Sequence, residues 1–67
     1  MRTANEIRNA VKQIYGSENA RVTRYGEVEV RGDMPNSDKV GWYLKGYVGS
    51  PELESDLFDD DGSVRAD

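Results

Sequence analysis

The chain has no cysteine and no histidine. Without cysteine there is neither a disulfide staple nor a thiolate zinc site, and without histidine the commonest general base and metal ligand is missing. Long apolar runs are also lacking. No stretch approaches the roughly 20 residues that a membrane span needs, and MRTANEIRNAVKQIY, residues 1–15, has no secretory apolar run. The expectation is a soluble, cytoplasmic protein that does not engage a membrane. The apparatus of catalysis is equally thin. No nucleophile has a His or Cys partner, no glycine-rich loop can cradle phosphate, and no pair of carboxylates is visibly set in a cleft. So short a chain also has little room for a pocket of about 300 Å³ or more. The chain is expected not to be an enzyme and to need no cofactor or metal.

At 67 residues there is room for one small domain. Such a domain hides only about 60% of its unfolded surface, so its stability is marginal unless a partner or a second copy contributes. The net charge of −4 conceals an uneven distribution. Residues 1–49 hold eight basic and six acidic groups, whereas residues 50–67 hold one basic and seven acidic groups. A mildly basic body is joined to an acidic tail.

Thr3 and Glu6 form a capping box, and Ala4, Ile7, Ala10, Val11 and Ile14 recur at helical spacing. Gly16 suits a helix end, so a helix is predicted over 4–15. ARVTRYGEVEV, residues 20–30, alternates as a hairpin does. A three-residue loop, Arg24–Tyr25–Gly26, places Gly26 at the left-handed position. It pairs Ala20 with Val30 and Val22 with Val28, and it sets Arg21 opposite Glu29 on the other face. Residues 32–39 read as a turn-rich loop, followed by a third strand at about 40–48. The predicted fold is α+β: an N-terminal helix on a three-stranded antiparallel sheet of order 1-2-3, comprising residues 1–49.

GWYLKGYVG, residues 41–49, is the most aromatic stretch. Val40, Trp42, Leu44, Gly46 and Val48 form its more apolar parity and are expected to face the helix, with Gly46 admitting a close approach at Ala10. Tyr43, Lys45 and Tyr47 are then expected on the open face with Arg21, Thr23 and Glu29. Tyr43, Lys45, Tyr47, Arg21 and Glu29 are the predicted partner-binding set, because exposed tyrosines anchor protein interfaces. The alternative is single-stranded nucleic acid, with Arg21, Arg24 and Lys45 on phosphates and the tyrosines stacked on bases. A net charge of −4 opposes it. The same residues also have a bland explanation: tyrosine is a good strand former and sits half-exposed in many sheets.

The tail opens with Ser50 and Pro51, suited to the cap and first position of a helix, with Leu53, Leu57 and Phe58 as an apolar stripe. A short docking helix is predicted over 50–58, resting on the domain or on a second copy, followed by a disordered acidic tail at 59–67. Docking on the open face would bring Glu52 or Asp56 near Lys45 and shield Tyr43 and Tyr47. Glu52, Glu54, Asp56, Asp59, Asp60 and Asp61 either solvate the tail or steer a basic partner. A calcium loop fails on spacing, because its first ligand position falls on Leu57. Arg31–Gly32–Asp33 spells an adhesion tripeptide, a three-letter match best explained by chance. The functional expectation is a small non-enzymatic inhibitor or regulator that binds a protein partner, as a monomer or weak homodimer. In general look, compact, acidic, cysteine-free and single-domain, the chain resembles the short accessory proteins of phage and mobile-element genomes, a resemblance of type that no specific residue carries.

Overall fold

A computed structural model describes residues 2–65. Helix α1 (Ala4–Tyr15) leads through a 3-10 turn to strands β1 (Ala20–Val22), β2 (Glu27–Asp33) and β3 (Val40–Tyr47), and helix α2 (Pro51–Leu57) follows. The three strands form one antiparallel sheet in the order β1-β2-β3.

The local signals act as their chemistry dictates. The Thr3 hydroxyl accepts from the Glu6 N–H at 3.2 Å, and the Glu6 carboxylate accepts from the Thr3 N–H at 3.1 Å, so α1 starts with a closed capping box. Gly16 ends the helix at φ +100°, where a side chain would be strained. In the first hairpin Gly26 takes φ +83°, and Arg21 lies opposite Glu29 with Val22 opposite Val28. Ser50 caps α2 by accepting from the Leu53 N–H.

Both helices lie on the same face of the sheet. The core between helices and sheet comprises Ile7, Ala10 and Val11 of α1, Ala20, Val28 and Val30 of the hairpin, and Leu53, Leu57 and Phe58 of the C-terminal segment. The docking of Leu53, Leu57 and Phe58 therefore takes place beside α1, and the open face of the sheet receives no helix. Arg2 ties the two ends together: its guanidinium stacks 3.8 Å from the centre of the Phe58 ring, and its amide donates to Glu54. Residues 59–65 form a turn closed by a bridge between Phe58 and Val64 and by a hydrogen bond from the Arg65 N–H to the Leu57 carbonyl. Residues 66 and 67 lie outside the described residues.

Three exposed carboxyls are held below the usual carboxylate range. The Thr3 N–H lowers Glu6, the Ser50 hydroxyl lowers Glu52, and the Ser63 N–H lowers Asp61. A carboxyl depressed in the folded state contributes stability that is fully present above its unfolded pKa and is lost as pH falls through the folded one. The melting temperature is thus expected to be level near neutrality and to fall as pH drops from about 5 to about 3. Glu6→Gln, which cannot ionise, should show a shallower fall. A wild-type melting temperature that does not change across that window would exclude the capping carboxylates as contributors.

Candidate functional site

The positions of the aromatic residues depend on how β3 pairs with β2. A hydrogen bond from the Met34 N–H to the Lys39 carbonyl closes the second hairpin and sets Asp33 opposite Val40, Arg31 opposite Trp42 and Glu29 opposite Leu44. Then the register shifts by one residue: Val28 lies opposite Gly46, and Lys45 is the extra residue of a bulge. A one-residue shift exchanges the faces of a strand, so no single parity of β3 is buried throughout.

The expected faces need correction accordingly. Val40, Trp42 and Leu44 pair with open-face residues of β2 and belong to the open face, not the core. Tyr43 pairs with buried Val30 and packs half-buried against the core, so it is not an open-face contact residue. Lys45 leaves the open face as well. Its ammonium reaches Asp56 on α2 at 3.7 Å, and its side chain is only 25% exposed. Burial pulls the Lys45 pKa down, but its interactions with the Tyr15 side chain and the Asp56 carboxylate outweigh it, and the net direction is up. The Lys45–Asp56 contact expected for a docked tail thus exists, on the face opposite to the one proposed for it. Beyond the bulge the expected parity is restored, with Gly46 facing inward. Its close neighbour is Leu53 of α2, whose side chain would lie 3.2 Å from an added Cβ, and not Ala10.

The open face has three columns. The edge strand β3 contributes Val40, Trp42, Leu44 and Tyr47. The central strand β2 contributes Glu27, Glu29, Arg31 and Asp33. The other edge, β1, contributes Arg21, which is bonded to Glu29 at 2.7 Å. The Arg21 guanidinium also crosses β2 to stack 4.0 Å from the centre of the Trp42 ring. Of the predicted set, Tyr47, Arg21 and Glu29 share this face, while Tyr43 and Lys45 do not. Trp42, Leu44 and Val40 were not expected on this face, and no signal along the chain marks them, because the Met34–Lys39 closure and the Lys45 bulge that turn them outward are seen only in the paired strands. Val40 is 67% exposed, Tyr47 52% and Leu44 46%. Such apolar exposure concentrated on one strand is the kind of patch that marks an interaction surface.

The acidic groups of the C-terminal segment are largely engaged nearby. Glu52 accepts from Ser50, Glu54 from the Arg2 N–H and Asp61 from the Ser63 N–H, and Asp59 pairs with Arg65 at 3.2 Å. Arg31–Gly32–Asp33 is the C-terminal end of β2, paired along its length with β3. Among the described residues no group of three His, Cys, Asp or Glu is placed to hold a metal ion, no cavity is found, and no helix is long and apolar enough to cross a membrane. No family model, curated protein or solved structure matches the chain.

Proposed function

We propose that this chain is a non-enzymatic interaction module, an inhibitor or regulator of accessory type, that binds a protein partner through the open face of its sheet. The observation that carries this is the apolar column Val40, Trp42, Leu44 and Tyr47, which neither helix covers. Trp and Tyr are the residues that most often dominate interface energetics, and Arg21 and Glu29 beside them supply the polar rim. The contact set therefore becomes Trp42, Leu44 and Tyr47 with Arg21 and Glu29. Tyr43 and Lys45 support the fold behind it.

Binding of single-stranded nucleic acid through the same face has weaker support. The two guanidinium groups of the face, Arg21 and Arg31, are outnumbered by Glu27, Glu29 and Asp33, and Lys45 points away toward Asp56. Phosphate binding needs a surplus of positive charge. A capture experiment from the native host separates the two. Wild type is expected to retain a protein that Leu44→Ala and Tyr47→Ala lose by at least about tenfold, the effect of truncating a modest hot spot. Equal retention by all three proteins would remove the face from consideration, and recovery of nucleic acid that disappears with added salt would favour the rival.

A further inference from the structure

The open face is divided in an unusual way. Its apolar side chains stand on the edge strand β3, and the central strand β2 shows only charges. A partner lying flat on the sheet would cover the charged column first. A partner that extends the sheet at β3 would put the apolar column in the middle.

The edge itself is open to extension. Because Met34 and Lys39 form a hydrogen-bonded pair, antiparallel alternation makes Asp33–Val40, Arg31–Trp42 and Glu29–Leu44 the non-bonded pairs. The N–H and C=O groups of Val40, Trp42 and Leu44 accordingly turn outward. Among the described residues no hydrogen bond from another element reaches them. Natural edge strands are commonly short or protected by proline or by inward-pointing charge. β3 is eight residues long and contains no proline, and its one charge, Lys45, is drawn to Asp56.

We propose that the occupant of this edge is a second copy of the chain, paired β3 to β3 in antiparallel fashion about a two-fold axis beside Trp42. This deepens the function proposed above and rests on it, because the second copy completes the binding face. The pairing sets Trp42 against Trp42 of the second copy and Val40 against its Leu44, and every outward amide and carbonyl of the three residues finds a partner. On the opposite face Tyr43 comes beside Gly41 of the second copy, where no Cβ obstructs it. In this register Lys39, just before β3, falls opposite Lys45 of the second copy on the helix-bearing face, where the exposed Asp56 carboxylate that holds Lys45 is placed to serve both ammonium groups. The result is one six-stranded sheet whose central stripe is apolar and whose charged β2 columns flank it on both sides. A two-fold arrangement of this kind closes on itself and leaves only the three-residue β1 strands as outer edges.

Sedimentation equilibrium of the full chain from micromolar to millimolar concentration tests this, together with hydrogen exchange of the Trp42 and Leu44 amides at both ends of the range. Wild type is expected to approach twice its mass as concentration rises, with exchange at both amides slowing in parallel. Val40→Pro removes an outward donor without touching the β2 ladder, and Leu44→Lys sets a charge against the apolar stripe of the second copy. Both variants should keep the wild-type circular dichroism and remain monomeric. A wild type that is monomeric throughout overturns the proposal, as does a dimer whose Trp42 and Leu44 amides exchange at the same rate at both concentrations. A monomer that still loses its captured partner on Tyr47→Ala overturns the dimer alone. A dimer that captures no partner keeps the pairing and removes the partner.

Discussion

Truncation after Gly49 is expected to leave a chain that does not fold at 25 °C. Leu53, Leu57 and Phe58 are 2%, 1% and 9% exposed and belong to the same buried cluster as Ile7, Val11, Val28 and Val30. Each such side chain contributes about 1.5–3 kcal/mol when buried. The total stability of a domain this size is about 0.05–0.15 kcal/mol per residue, so the loss is comparable with the whole. A truncated chain would also expose the inner faces of α1 and β3 and lose the Arg2 stacking on Phe58. Far-UV circular dichroism of the 1–49 fragment is the direct measurement, and a cooperative melt with native helix content would show that α2 is an accessory to a self-sufficient αβββ core. Truncation after Phe58 should be milder, because the turn it removes carries none of the fully buried side chains and adds the half-buried Val64 with its bridge, the Arg65 bonds and a hydrogen bond from Arg2 to the Gly62 carbonyl.

Gly46→Val is expected to lower stability by about 1–3 kcal/mol, the usual penalty of overfilling a packed site. At about 4–8 °C per kcal/mol for a domain of this size, the melting temperature should fall by roughly 5–20 °C. The cause is the approach of α2. An added Cβ would lie 3.2 Å from both the Cβ and the Cδ1 of Leu53, and a Cβ attached to a helix backbone cannot rotate out of the way. Gly32→Val is the matched control. It too is a strand glycine without positive φ, but an added Cβ there meets nothing within 4 Å. Valine is the better strand former, so the control should be neutral or slightly stabilising. Equal losses at both positions would point to strand backbone conformation, not the Leu53 contact.

These two expectations depend on different kinds of information. Gly46 was recognisable in sequence as a buried-face glycine, because the surrounding alternation put it on an apolar parity. What approaches it was not. The helix that needs the space is the later one, α2, and only the packing of both helices on one face brings Leu53 there. Likewise, the apolar stripe Leu53, Leu57, Phe58 announced a docking helix, but its position beside α1 follows from the uncovered part of the β3 inner face.

The candidate site shows the same division more sharply. Arg21 and Glu29 were legible because their hairpin is short: one three-residue loop with a left-handed glycine admits one register, and apolar pairs and an ion pair agree with it. Tyr47 was placed correctly on the exposed side of the bulge. Trp42 and Tyr43 exchanged places because hydrophobicity ranked tryptophan and leucine as core, while the turn at Pro35–Asp38 imposed a register that turns them outward. Trp42 then acquires cover on the open face from Arg21, which reaches it across β2.

By itself the sequence determined everything governed by neighbours along the chain: the capped helix at 4–15, the first hairpin and its pairing, the Ser50–Pro51 helix start, and the absence of cysteine and histidine chemistry. These rest on interactions within a few residues, whose geometry is set by backbone dihedrals and local hydrogen bonds. The tertiary structure alone decided which face of β3 is buried. A strand has a side-chain period of two, so a single bulge residue at Lys45 reverses the assignment of every residue before it. The lysine that makes the bulge is held under α2 by Asp56, eleven residues further along the chain.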